Sequence, residues 1–409
     1  MAVGLLLRLA WIAWTSPLDP SHDEARFWEL ASIGMEGTGF IPPLYPLVLS
    51  LMQFVTGGSL TGARVAGACL ATPSILLVHQ LAQRHSSGTG GAVPAWIAAL
   101  LPSLIYFDGR LRSESLVILL LLGFMMVWTS PTRDGRVREL AGGFLLGLVA
   151  LTRPEFLILP GLLLLLEFRT EWKQILRTAA WLIPGMALAV LPWTMRNHLT
   201  LDVPALISTS GGYNFWKSFN EQTDGSQVPI TDYSLWSDVP EKEVNAVGYR
   251  EGLRFIREHP FRSLLLVPAK LGHTFGPERD LLSDIRRNRF PPRARSADIA
   301  FALIQNLVLA MVLALGLVAL IAPRGSTVKT VILAIVFNLI IVHMVIFGDD
   351  RFHLPLLPCL CIIMPDAWDG SRPSPGRARL VLAALAFEGL FWIGILCRDF
   401  ESLMMLGIR

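Results

Sequence analysis

The chain has 409 residues, 53% of them hydrophobic and 16% charged, against about 25% charged in an ordinary soluble domain. This composition excludes a soluble globular protein and leaves an all-α polytopic membrane protein. The net charge of +3 is small and dispersed, which gives no basis for nucleic-acid binding.

The first apolar run, MAVGLLLRLAWIAW, has no small-residue cleavage site before Asp19 and is read as a span over 1–16 rather than a signal peptide. The chain then leaves the membrane through DPSHDEARFWE, residues 19–29, where acids and a histidine stand at the membrane edge. Carboxylates are expensive to hold beside hydrocarbon, so this stretch is a candidate functional site. Asp23 is the first choice for a catalytic base, with Glu24 beside it and Asp19 as a further candidate. A structural reading competes: Asp23, Glu24 and Glu29 would cap and solvate a short surface helix, where negative charge suits the helix dipole.

Residues 42–55 contain Pro42, Pro43 and Pro46 and, at about 14 residues, are too short for a span; a juxtamembrane position is expected. Further spans are expected over 63–83, 92–107, 115–130, 139–152, 155–168, 176–194, 299–322, 327–347, 353–368 and 378–397, about eleven in all. Pairing 261–276 with 42–56 would raise the number to about thirteen without moving the later loops. Short loops facing the cytoplasm are rich in Lys and Arg. The loops holding Arg84; Arg133, Arg136 and Arg138; Arg169, Lys173 and Arg177; Arg324 and Lys329; and Arg372, Arg377 and Arg379 therefore lie inside. The outer face collects 19–42, 108–114, 153–155, 196–298 and 348–353.

The chain thus divides into an N-terminal bundle over 1–195 with its first outer loop at 17–62, an extracytoplasmic subdomain over 196–298, and C-terminal spans over 299–409. The subdomain opens with the polar STSGGYNFWKSFNEQTDGSQ. In PEKEVNAVGYREGLRFIREHP, Val244, Val247, Leu253 and Ile256 recur at helical spacing and predict a helix lying on the bundle. Cys69, Cys359, Cys361 and Cys397 lie within or at the end of apolar runs and are read as neither disulfides nor zinc ligands. Within the spans, Arg8, His79, Gln80, Gln305, Asn306, Asn338, His343 and Glu388 read as helix-packing contacts of about 1 kcal/mol each, not as a proton relay.

On the outer face, Arg110, Arg112, Arg153, Arg196, Arg351 and His353 stand at or near span ends, and Lys217 in the insertion. Singly, each reads as a side chain snorkelling to headgroups. Gathered on the same face as an acidic cluster, they predict a phosphate site, since Arg pairs bidentately with phosphate oxygens and Lys acts as a point charge. Asp108 and Glu114 flank Arg110 and Arg112, which an ion-paired collar would explain equally well.

HDEARFWELA at 22–31 resembles the Asp-Glu-x-x-Tyr-x-x-x-Ala signature of the family-39-like, C-type (GT-C) membrane glycosyltransferases, which include protein O-mannosyltransferases and lipid A aminoarabinose transferases. GFIPPLYPLVLSL, LTRPEFLILP, PWTMRNHLTLDVPALISTSGGYNFWKSFN and DDRFHLPLLP resemble that family's later motifs, in order, as far as about residue 358. The resemblance implies transfer of a sugar from a polyprenyl-phosphate carrier to a hydroxyl of a lipid, glycan or protein acceptor, on the outer face of a bacterial inner or plasma membrane. It implies Asp23 as the base, and adds Asn214, which closes the Ser-Thr-x-Gly-Gly-x-Asn motif, to the site candidates. Phe27 stands where the family often has Tyr. Ile41 precedes Pro42 and Pro43 where the aminoarabinose transferases carry a Glu-Lys pair, so the sugar is left open. Asp19 and Asp23 are four apart, unlike the Asp-x-Asp of metal-dependent oligosaccharyl relatives, and no metal or other cofactor is expected. A flippase or polymerase of lipid-linked oligosaccharides is the main alternative, and a non-catalytic assembly subunit the third; a flippase should line a central cavity with cations, whereas here they gather at span ends.

The topology has a direct check. Cysteines introduced near Ser21, Ser226 and Asp349 should react with an impermeant reagent applied from outside, and cysteines near Gly135 and Ser374 should not. Outside labelling at Gly135 would overturn the orientation.

Overall fold

The computed structural model describes residues 1–409 except 22, 36, 87–90, 132–133, 169–170, 204, 228–235, 237, 292–294, 368–374, 377, 380–381, 384, 387–388, 391 and 395–409. His22, Arg133, Arg169, Arg372, Arg377, Glu388 and Cys397 therefore lie outside the described residues, as does part of the span expected over 378–397. Regular structure among the described residues is helical, with one isolated bridge between Ser226 and Gly348.

The helices Leu60–His85, Trp172–Leu201, Ser296–Ile321 and Thr327–Val345 are long and apolar enough to cross a membrane, and Ala2–Thr15, Glu114–Trp128 and Leu356–Ala367 are shorter apolar helices. Two expected spans are broken. The segment 92–107 forms two helices, Ala92–Leu100 and Pro102–Asp108, because Pro102 drives the preceding Leu101 into an extended conformation (φ −62°, ψ 113°). The segment 155–168 begins as a 3₁₀ turn, Pro154–Ile158, and continues as Leu159–Phe168. The helix Leu44–Val55 is about 18 Å long at 1.5 Å per residue, well short of the roughly 30 Å of hydrocarbon in a bilayer.

The core joins early and late parts of the chain: Trp11 of the first helix stacks on Phe301 at 4.6 Å and meets Tyr106 edge-on at 6.1 Å. Helices Gly135–Thr152 and Trp172–Leu201 approach at backbone distance. A Cβ on Gly143 would lie 2.0 Å from the Leu182 carbonyl oxygen, and one on Gly185 2.1 Å from that of Leu140. Small residues four apart permit this approach where no hydrophobic effect drives helices together. Polar side chains within the spans bond locally: Arg8 pairs with Asp108 at 2.7 Å, Asn338 donates to the Glu155 carbonyl at 3.1 Å, and His343 Nδ1 donates to that of Phe347 at 3.0 Å.

In the region of the insertion, helix Trp172–Leu201 continues past Arg196 and ends where Asp202 turns left-handed (φ 51°); Arg295–Ile321 starts the return. Between them lie Ser210–Ser218, Glu241–Glu258, Pro260–Phe275 and Asp280–Arg286. The apolar stripe of Glu241–Glu258 differs from the expected one. Val244, Val247 and Phe255 are buried together with Gly248 and Gly252, while Leu253 is exposed. The reason is its partner, Ser210–Ser218, whose Gly212 backbone comes so close that a Cβ on Gly248 would collide with it. The buried face therefore centres on the glycines.

Candidate active site

The loop after the first helix folds into the helix Asp23–Ile33, which packs on Leu44–Val55 with Phe27 and Tyr45 edge-to-face at 5.1 Å. Its first turn is tied back to Ser21. The Glu24 carboxylate accepts from Ser21 N–H (3.3 Å) and Ser21 Oγ (3.2 Å). The same carboxylate accepts from Arg110 Nε at 2.8 Å and from Leu111 N–H at 3.0 Å, and the pair is almost wholly buried. Burial alone would raise the Glu24 pKa, but Arg110 holds it well below the usual range. Arg110 also donates to Asp284, as do Tyr106 and Arg289, and Arg289 reaches the Asp19 carbonyl. The loop helix is thereby anchored to the segment after Pro102–Asp108.

Asp23, the neighbouring residue, is directed to a cavity of about 380 Å³. Its carboxylate lies 2.6 Å from Arg351 Nη1. Arg351 is presented by the turn that follows Thr327–Val345, and this turn is fixed at several points. Phe347 N–H donates to Ser218 Oγ (2.7 Å), Gly348 N–H to the Gly225 carbonyl (2.8 Å), and His353 Nδ1 to the Thr274 carbonyl (2.8 Å). Arg351 further donates to Gln227 Oε1 at 3.0 Å and has Asp349 and Glu114 at 3.6 and 3.9 Å from its Nε. Burial opposes its charge, yet the carboxylates of Asp23, Asp349 and Glu114 hold it well above the ordinary arginine value. Reciprocally, Arg351 pulls the Asp23 carboxyl from its ordinary 3.8 down to about 2, against the effect of burial.

Two more cations reach the cavity. Arg153 is held extended (φ −142°, ψ 104°) ahead of Pro154, pairs with Glu114 at 2.5 Å and Glu155 at 3.1 Å, and lies 5.2 Å above the Phe352 ring. Lys217 comes from Ser210–Ser218, one turn beyond Tyr213 and Asn214, which also line the cavity. Among the described residues its Nζ has no ion pair or hydrogen bond; it faces the rings of Phe347 and Tyr213 at 5.0 and 5.9 Å. Burial lowers its pKa, and Asp23 works in the opposite direction. Phe27, Phe40, Tyr45, Tyr213, Phe347 and Phe352 supply the aromatic walls.

The structure thus brings Asp23, Arg153, Asn214, Lys217 and Arg351 to one cavity and places Glu114 directly behind two of its arginines. The other candidates are elsewhere. Glu24 and Arg110 form the buried anchor; Arg112 pairs with Asp280 at 2.8 Å, and Asp108 with Arg8. Arg196 stacks on Trp193 at 4.6 Å and donates to the Thr38 and Met35 carbonyls, holding the outer loop. His353 is fully buried between Thr274 and Glu278, and the Asp19 side chain is exposed. Sequence reasoning missed Gln227, Tyr45 and Tyr213. Only Tyr213 carried a signal, through its spacing with Lys217 on one helix face.

No protein-family model and no curated protein matches the sequence. The oligosaccharyltransferase of Archaeoglobus fulgidus in its apo form superposes with a TM-score of 0.50 at 14% identity, over 96% of this chain and 54% of that one. This chain has the GT-C fold. It spans about half the length of the archaeal enzyme. ArnT from Cupriavidus metallidurans is also similar, at a TM-score of 0.41 both in the apo state (14% identity) and bound to undecaprenyl phosphate (16%), over 87% of this chain and 76% of that one. The GT-C likeness is therefore one of fold, and the chemistry of this chain rests on its own cavity.

The anchor and the cavity carboxylate separate by mutation. Glu24→Ala leaves Arg110 paired with Asp284 but strips buried Arg110 Nε and Leu111 N–H of their acceptor, so unfolding in detergent should show a loss of about 1–3 kcal/mol. Asp19→Ala should lie within about 0.5 kcal/mol of the parent, as an exposed side chain does. A silent Glu24→Ala would remove the anchor.

Proposed function

We propose that the protein is a membrane glycosyltransferase that moves a sugar from a polyprenyl-phosphate donor to an acceptor hydroxyl at the extracytoplasmic face of the membrane. The observation that carries the reading is the meeting, in one aromatic-walled cavity, of the half-buried Asp23 carboxylate with three cations, one of which, Lys217, has no ion pair among the described residues. Aromatic faces suit the C–H faces of a sugar, and the cations suit its phosphate.

In the proposed reaction the acceptor oxygen attacks the anomeric carbon and gives its proton to an Asp23 carboxylate oxygen. The bond from that carbon to the phosphate oxygen breaks, and the electron pair leaves with the phosphate. Fixed positive charge from Lys217, Arg351 and Arg153 stabilises the departing phosphate, and its low-dielectric setting strengthens the effect. This charge does what a divalent cation would otherwise do, and we propose that no metal takes part. Asn214 lines the cavity, and in this reading it hydrogen-bonds the sugar or its phosphate. The outer-face assignment rests on the arginine-rich short loops.

Replacement of Asp23 by Asn keeps size and hydrogen bonding but removes the proton acceptor. Turnover with a polyprenyl-phosphate sugar should fall by roughly 100-fold or more while the donor still binds. Arg351→Ala should abolish use of donor and also lower stability, because it strips buried Glu114 and Asp349 of a counter-charge, whereas Arg351→Lys should keep the fold and restore only part of donor use, since a point charge cannot reproduce the guanidinium fork. An Asp23→Asn protein that transfers sugar at the parental rate would end this mechanism.

A further inference from the structure

Arg351 is asked to do two things at once. It neutralises Asp23 at 2.6 Å, and it is a main candidate to receive the donor phosphate. Of the acids around its guanidinium, Asp349 and Glu114 do not line the cavity, whereas Asp23 does. An anion that enters therefore meets Arg351 on the edge that Asp23 occupies. Its other terminal nitrogen is already committed to Gln227 at 3.0 Å, and its Nε makes no hydrogen bond. Asp23 in turn has somewhere to go: it sits in the first turn of its helix, where the dipole tolerates a free carboxylate, and its side chain is 40% exposed.

We propose that donor phosphate and Asp23 exchange on Arg351, so that the phosphate displaces the carboxylate and only a donor-loaded protein has a base free to bind an acceptor hydroxyl. The inference rests on the glycosyl-transfer reading and adds an order to it: donor first, acceptor second. While paired, the carboxylate is occupied by its strongest possible hydrogen-bond donor and is a weak base, held at about pKa 2 mainly by Arg351. Once the phosphate shares the guanidinium, that pull weakens and the carboxyl returns towards its ordinary range, where proton acceptance is easier. Lys217, with no ion pair among the described residues, is the natural first contact for the entering phosphate, and the exchange at Arg351 follows.

A double-mutant cycle reads the exchange directly. Undecaprenyl phosphate in detergent micelles is titrated against the parental protein, Asp23→Asn, Arg351→Gln and the double variant, with undecaprenol as the control for chain partitioning. Thermal melts check that each protein is folded, and the uncharged Arg351→Met stands in if the Gln variant is not. Removal of the competing carboxylate should tighten phosphate binding about tenfold in the Arg351 background and less than about twofold in the Gln background, the signature of a shared partner. Tightening of equal size in both backgrounds would mean simple repulsion between Asp23 and phosphate and would overturn the exchange. An unchanged affinity of Asp23→Asn would do the same. If the parental protein binds undecaprenyl phosphate no better than undecaprenol, the donor reading itself fails, and the exchange with it.

Discussion

The buried pair between Glu24 and Arg110 is the constraint on which the site depends. Two charges this deep contribute little net stability as a pair, since desolvation consumes most of their attraction, but Glu24 without Arg110 would be a buried carboxylate without its counter-charge. Because the Glu24 carboxylate also accepts from Ser21 N–H and Oγ, the pair sets the position and the rotation of the helix that follows. Adjacent helical residues are about 100° apart around the axis, so fixing Glu24 inward on Arg110 sends Asp23 towards Arg351. One buried acid holds the geometry, and its neighbour faces the cavity.

Around the cavity, positive charge is distributed unevenly over the carboxylates. Glu114 sits between Arg153 and Arg351, at 2.5 and 3.9 Å, and Arg153 also has Glu155. Arg351 shares Asp23 and Asp349, while Lys217 faces the rings of Phe347 and Tyr213 and has no ion pair among the described residues. Such a network is rigid where it is paired and receptive where it is not. The rings of Phe352 and Phe347, under Arg153 and Lys217, keep the cations desolvated and turned to the cavity, which strengthens their hold on an entering anion.

Much of this arrangement was legible in the sequence, and the failures have physical causes. The cost of charge at a membrane edge drew attention to Asp23, Arg153 and Arg351, and helical spacing links Tyr213 to Lys217. The same argument marked Arg196 and His353 equally, because a span-end position does not say which way a side chain turns. Helix Trp172–Leu201 runs far enough past Arg196 to aim it at the outer loop, and His353 is drawn under the surface by Glu278. Nothing in composition distinguishes Asp23 from Glu24; only tertiary pairing with Arg110 does. Gln227 is brought to Arg351 by the fold of a polar loop that has no periodicity to read. The stripe on Glu241–Glu258 was misplaced because glycine carries no hydropathy signal, although close backbone approach at Gly248 decides which face is buried.

Mass spectrometry of the lipid that copurifies with the protein tests the transfer site most directly. A polyprenyl phosphate bearing a single sugar is the expected species, because Asp23 and one cluster of cations share the cavity. A pyrophosphate-linked oligosaccharide in its place would contradict the account and point to a carrier-glycan flippase or polymerase instead.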